Sequence, residues 1–308
     1  MSLADAYRVM SLADAYRVCR DVHQEHGRSY FLATRLLPGW KRRHVHALYA
    51  FTRCTDDIVD SLEPDRSYDP DVQERCRRLQ EWGERFRSGL PGGASPEDPV
   101  LQAVRHTIAV FDLDHADFES FLTSMTMDLT VTEYADYDAL LTYMEGSAAV
   151  IGTMMLPILL ADELPAAMIP QTLADAREPA RQLGLAFQLT NFIRDVREDA
   201  VRGRIYLPGA DLEQFGVHRA DLVREIAGAG VRDLVAFEVS RARQHYLAAR
   251  VGLASLPPRS RRCIRLATSV YGAILTEVEA AGYDVLAGRV RVPYRRRAAM
   301  TASELLRR

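Results

Sequence analysis

The chain has 308 residues, 48% hydrophobic and 26% charged, which suits a globular protein that buries a large core without staples. A net charge of -3 gives no reason to expect nucleic acid as a partner. The four cysteines, Cys19, Cys54, Cys76 and Cys263, form no CxxC pair, which argues against a zinc site or a disulfide framework and fits a reducing, cytoplasmic setting.

Residues 1–9 read MSLADAYRV and residues 10–18 repeat them without change. The first copy is set aside as a probable duplicated segment, which leaves residues 10–308 as one domain. No basic region followed by an apolar one marks a signal peptide at the start. From there the pattern is helical. Stretches rich in Ala, Leu, Arg and Glu, with apolar residues at i, i+3, i+4, predict helices over 45–61, 72–87, 137–161, 171–201, 231–255 and 259–286. Residues 88–99, with Pro91, Gly92 and Gly93, read as a surface loop. The apolar run 148–161 contains Gly152 and Pro157 and reads as a buried helix, too short to span a bilayer. After 286 the chain turns basic, with Arg289, Arg291, Arg295, Arg296, Arg297, Arg307 and Arg308. It reads as a solvated tail or a contact for anionic lipid. Alternating strand patterns are nearly absent, so the expected fold is all-α, one helical bundle.

Two carboxylate clusters stand inside these helices. Asp56, Asp57 and Asp60 form the first, and Asp195, Glu198 and Asp199 the second. Asp56 and Asp60 are i, i+4, as are Asp195 and Asp199, so each pair shares a helix face about 6 Å apart along the axis. Like charges at that spacing repel, and a cation would relieve them. Mg²⁺ takes one or two carboxylates together with water and substrate phosphate oxygens. Two such faces opposed across a cavity would hold diphosphates. Either cluster alone could equally be a solvated face, but both are set among apolar residues, where charges need partners. Cations surround them: Arg53, Arg194, Arg202 and Arg204. Guanidinium forks suit phosphate oxygens, and Arg197 and Arg202 could instead pair with the aspartates.

These residues belong to longer blocks. Arg28-Ser29-Tyr30, Arg35-Leu36-Leu37-Pro38 and Ala47-Leu48-Tyr49-Ala50-Phe51-Thr52-Arg53 lead into the first cluster. Gln188-Leu189-Thr190-Asn191-Phe192-Ile193-Arg194 leads into the second, and Arg202-Gly203-Arg204-Ile205-Tyr206-Leu207-Pro208 follows it. Together they resemble the squalene and phytoene synthase family of trans-prenyl synthases over nearly the whole chain after residue 20. Tyr143 with Gly146-Ser147-Ala148-Ala149-Val150-Ile151-Gly152, Tyr271 to Leu275 and Gly282-Tyr283-Asp284-Val285 resemble its phytoene-forming branch. Thr52, Cys54, Thr55 and Glu145 depart from the pattern without removing a ligand.

The resemblance implies an isoprenoid-synthase-like helical bundle around a central cavity, with Asp56, Asp60, Asp195 and Asp199 binding Mg²⁺ or Mn²⁺. It implies that Ser29, Tyr30, Arg53, Arg194, Arg204 and Arg289 hold diphosphate and that Gln188, Asn191, Tyr143 and Tyr271 line the reaction centre. The reaction joins two geranylgeranyl diphosphates head to head, through prephytoene diphosphate, to phytoene, and releases diphosphate. Without the resemblance, Tyr143 and Tyr271 read as core tyrosines. Small Ala33 and Thr34, one turn from Ser29 and Tyr30, leave room for a twenty-carbon chain if that helix lines the tail pocket. Phytoene formation ends by proton loss, so no NADPH is expected, and no Gly-rich nucleotide fingerprint appears. The alternatives are a squalene-type or diapophytoene synthase using farnesyl diphosphate, and a non-catalytic scaffold, which should have lost metal aspartates. Greasy substrates and product favour a protein of the cytoplasm that touches the membrane peripherally. The sequence leaves the oligomeric state open.

Overall fold

The computed structural model describes residues 11–60, 72–88, 98–161 and 169–306, without the side chains of Ser29, Ile169 and Leu305. The duplicated residues 1–9, most of the expected 88–99 loop, Arg307 and Arg308 lie outside that set. Helices run in chain order as α1 (Leu12–His26), α2 (Arg28–Thr34), α3 (Gly39–Asp60), α4 (Val72–Ser88), α5 (Pro99–Phe111), α6 (His115–Thr130), α7 (Tyr137–Met144), α8 (Val150–Leu160), α9 (Ile169–Val201), α10 (Gly209–Gln214), α11 (Arg219–Leu222), α12 (Ala229–Ala249), α13 (Pro258–Ala280) and α14 (Tyr294–Leu306). Among the described residues the only β pairing is an isolated bridge between Glu133 and Ile205. The all-α expectation therefore holds.

The helices fall into two compact units, Met1–His115 and Ala116–Arg308. In the first, α1, α3 and α5 pack together. Their interior carries an unusual load of polar rings. Tyr16 bonds His44 (3.0 Å), His106 (2.8 Å) and Thr107 (3.1 Å). His23 and His46 are hydrogen-bonded through their Nδ1 atoms at 2.9 Å, and His23 stacks on Tyr49 at 4.0 Å. Burial holds all three buried imidazoles neutral, with His23 pushed down to about 3 and His44 and His46 to about 4.

In the second unit the long α9 is the hub, against which α8, α12 and α13 pack. Between α7 and α8, Glu145–Ala149 form one π-helical turn. A residue is inserted there into an otherwise continuous helix, and such turns concentrate at functional sites. Two glycines explain how neighbouring backbones come so close. A Cβ on Gly146 would stand 2.2 Å from the Ser120 carbonyl oxygen of α6, and one on Gly184 would stand 2.3 Å from that of Ala148. The combined stretch Tyr137–Leu160 is long and apolar enough to cross a bilayer, contrary to the sequence reading of 148–161 alone, but 67% of its most apolar window is buried inside the protein.

Several boundaries differ from expectation, α3 beginning at Gly39 and α12 ending at Ala249. The expected 259–286 helix stops at Ala280, where Gly282 and Tyr283 take positive φ (63° and 61°). The basic segment is no solvated tail: residues 294–306 form α14, packed on α13.

Candidate active site

Each acidic cluster is presented by its own helix, the first in unit one and the second in unit two. α3 buries Leu48, Phe51, Thr55 and Val59. That stripe leaves Arg53, Asp56, Asp57 and Asp60 half-buried at its edge, and the helix runs unbroken through Asp60, so Asp56 and Asp60 do share a face. Arg53 pairs with Asp57. Burial raises the Asp57 carboxyl against the pull of Arg53. The Arg53 Nε is buried without a hydrogen-bond partner, a donor left for an oxyanion. Tyr30 is half-buried on α2. Ala33 and Thr34 are buried, and the Thr34 hydroxyl donates to the Tyr30 carbonyl at 2.9 Å.

α9 buries Leu189, Phe192, Ile193, Val196 and Ala200. Asn191, Asp195 and Asp199 follow at i, i+4, i+8 and so lie along one side. Asp195 is gripped twice. Arg194 Nε donates to it at 2.8 Å, and Arg289, far along the chain, donates to it at 3.1 Å while also reaching Glu198 at 3.5 Å. Arg194 is coupled electrostatically to the Tyr271 hydroxyl, and the Tyr271 ring packs 4.8 Å from Phe187. Asn191 Nδ2 donates to Gln188 at 3.5 Å, while its Oδ1 is buried without a partner. Arg197 and Arg202, expected as possible partners of the aspartates, make no ion pair among the described residues; Arg194 and Arg289 take that role.

Beyond Asp199 the chain turns through Gly203 (φ +87°) and is zipped to the segment after α6, with Ile205 N on Thr132 O at 2.8 Å and Gly209 N on Tyr134 O at 2.8 Å. This brings Arg204 and Tyr206 into the site. Tyr206 feels both Arg204 and Asp199.

Among the described residues no three His, Cys, Asp or Glu side chains converge closely enough to hold a metal by themselves. The arrangement nonetheless fits Mg²⁺. Paired carboxylates on a helix face and the orphaned oxygen of Asn191 are hard donors, and this ion completes its shell with water and phosphate oxygens.

A squalene/phytoene synthase family model matches residues 23–296, a span that contains both acidic clusters and Arg289. The chain belongs to the squalene/phytoene synthase family. Among its relatives, phytoene synthase from Arthrospira platensis is 35% identical over 280 residues, 90% of this chain and 87% of that protein. The 15-cis-phytoene synthase of Synechococcus elongatus is 32% identical over 95% of this chain and 90% of its own. Among solved structures, a dehydrosqualene synthase in complex with ligand matches with a TM-score of 0.83 at 25% identity, over 96% of each chain. The squalene synthase HpnC from Alicyclobacillus acidocaldarius matches with a TM-score of 0.74 at 28% identity, over 89% of this chain and 97% of that one.

In this squalene/phytoene synthase family chain, one residue escaped the sequence reading. Asp128, on α6, accepts a hydrogen bond from Tyr143 at 3.0 Å and from Tyr206 at 2.8 Å. Around it stand Tyr134, 5.4 Å from Tyr143, and Phe192, stacked 4.1 Å from Tyr206. Burial, then the Asp128 charge, pushes the Tyr143 and Tyr206 hydroxyls well above their ordinary range, so both phenols stay protonated and donate. Tyr143 is thus both a core residue, 2% exposed, and the anchor of an aromatic box. The available signal was a carboxylate set between buried Met125 and Leu129. Glu145, the departure in the middle block, opens the π turn and is neutralised by Arg181, whose Nε donates to it at 3.0 Å.

Proposed function

We infer that this protein is a prenyltransferase that joins two geranylgeranyl diphosphates head to head to phytoene, by way of prephytoene diphosphate, with release of diphosphate. The reading is carried by the likeness to phytoene synthases along at least 90% of the chain at 32–35% identity. We take residues 10–308 as one synthase domain.

The site residues supply the parts the reaction needs. Arg53, Arg194, Arg204 and Arg289 are cations for diphosphate oxygens, joined by Ser29 and Tyr30. Asp56 and Asp60, and Asp195 and Asp199 with Asn191, would hold Mg²⁺ or Mn²⁺, which would supply Lewis-acid stabilisation of the departing diphosphate. The faces of Tyr134, Tyr143, Tyr206 and Phe192 offer π density to an allylic cation. Asp128 fixes the orientation of two of those rings. Gln188 and Tyr271 would line the reaction centre beside the second cluster. The final step is loss of a proton, which needs no NADPH.

The decisive experiment incubates the purified protein with Mg²⁺ and farnesyl or geranylgeranyl diphosphate, with and without NADPH, and identifies the hydrocarbons. Phytoene from the twenty-carbon substrate, indifferent to NADPH, is the expected result. The likeness to a dehydrosqualene synthase and a squalene synthase makes preference for farnesyl diphosphate the specific alternative, and that preference would overturn the product assignment. No turnover of either substrate would point to a scaffold role. Ala33→Phe and Thr34→Phe should suppress the longer product more than the shorter. We place the protein in the cytoplasm, in peripheral contact with membranes that hold its substrates and product.

A further inference from the structure

Helix α14 is locked in rotation about its own axis. Glu304, 5% exposed, accepts Arg265 Nε at 2.8 Å, and its carbonyl accepts Arg262 at 2.8 Å. Arg296 pairs with Glu277 of α13, and Met300 packs on Ala273, Ile274 and Val292. With that face fixed inward, the opposite face carries Tyr294, Ala298, Ala302 and Leu306 at i, i+4, i+8, i+12. All four are exposed, Tyr294 by 78% and Leu306 by 81%.

Charge on this face is one-sided. Arg295 is exposed beside Tyr294, and Arg291 is exposed just ahead of the helix. The sole acidic residue of α14, Glu304, is on the buried side. The exposed side therefore holds an aromatic at one end, a leucine at the other, alanines between and cations at the start, on a chain whose net charge is -3. An interfacial helix has the same features: an apolar strip, an aromatic at headgroup level and Arg near the lipid phosphates.

We propose that the outer face of α14 docks on the headgroup layer of an anionic bilayer, with Tyr294 and Leu306 entering the interface and Arg291 and Arg295 on lipid phosphates. Charge complementarity selects this occupant. A second copy meeting this face with its own would bring no carboxylate to Arg291 or Arg295, because the one acid of α14 is buried. Half of the strip is alanine, so the contact is shallow, reversible and salt-sensitive. The proposal rests on the peripheral-membrane reading above and gives it a surface.

The test is flotation of the full chain with vesicles of phosphatidylcholine and phosphatidylglycerol in a three-to-one ratio, and of phosphatidylcholine alone, at low salt. The wild type should float with the anionic vesicles only. R291E/R295E should lower partitioning by at least about twentyfold, since loss of each cation near a charged surface removes about fivefold and the introduced carboxylates add repulsion. Y294S/L306S should also lower it, whereas Arg250→Glu, an exposed cation elsewhere, should not. All these side chains are exposed, so thermal melts should be unchanged. Absence of wild-type flotation, undiminished flotation of either double variant, equal loss in Arg250→Glu, or a dimer that Y294S/L306S dissociates without any vesicle binding would each overturn the proposal. Turnover on detergent-dispersed substrate is measured separately, so failure of the catalytic reading is told apart from failure of this one.

Discussion

Arg289 donates to Asp195 at 3.1 Å across 94 positions of sequence. The pair ties the segment before α14 to the acidic cluster on α9, and Arg194 grips both oxygens of the same carboxylate. On the proposed reading, a guanidinium placed there would do two opposed things: attract diphosphate and compete with a cation for Asp195.

Arg289→Ala should therefore raise the KM for the diphosphate by about tenfold while lowering the Mg²⁺ concentration needed for half-maximal rate. Titrating each ligand at saturating levels of the other separates the two. Both constants moving in the same direction would contradict the dual role.

Asp60→Asn and Asp199→Asn should each lower turnover by at least a factor of about a hundred while the thermal melt stays put or rises. Removing one of two like charges at i, i+4 relieves about 0.2–0.5 kcal/mol of repulsion, and the lost ligand weakens Mg²⁺. Near-normal rates at saturating Mg²⁺ in both variants would remove the metal role.

Asp128→Asn and Tyr143→Phe test the aromatic box. Tyr143→Phe leaves Asp128 one donor short, at a cost of about 1–3 kcal/mol in stability. Misplacing a ring by an ångström costs about a hundredfold in rate, so turnover should fall by that order in both variants. A double-mutant cycle should show that the two losses do not add. Additive losses would mean that the hydrogen bond is incidental.

The two units should answer acid in opposite senses. His23, His44 and His46 have folded values lowered to about 3 or 4, below the ordinary value near 6.5. The unfolded chain therefore binds more protons between pH 6.5 and 4, and the first unit loses stability as pH falls through that window. In the second unit, Glu238 is 1% exposed, and burial pushes it up to about 7. Here the folded state holds the extra proton, so this contribution is present at low pH and fades as pH rises from about 4.5 to 7. Trp40 and Trp82, the only tryptophans, both lie in the first unit. Tryptophan fluorescence should report an acid transition below pH 6 that the replacement of His23 and His46 by Gln moves downward. Glu238→Gln should stabilise the protein at pH 8 and change it little at pH 4. Insensitivity of both variants to pH would refute the assignment.

The sequence disclosed what periodicity and charge can disclose. The α3 and α9 helices, the shared faces of their aspartates and the arginines near them follow from 3.6-residue spacing alone. The pairings did not. Arg53 chose Asp57, and Asp195 chose Arg289 over the nearer Arg197, because each choice depends on side-chain direction and on contacts distant in sequence. Asp128 was hidden for the same reason: its partners, Tyr143 and Tyr206, come from elements 15 and 78 residues away. Helix α14 read as a tail because its inward face is held by an ion pair, Glu304 with Arg265, and not by an apolar stripe.

The single π turn at Glu145–Ala149 works as a phase shifter. One additional residue in a helix rotates everything beyond it by about 100°. Upstream, Tyr143 must point toward Asp128; downstream, Val150, Met154 and Ile158 must point into the core. The inserted residue lets both orientations coexist on one nearly continuous helix. Removing any one residue from the turn would straighten the helix and force a choice between the Tyr143–Asp128 contact and the core, so this stretch, Gly146 apart, should resist shortening far more than it resists substitution.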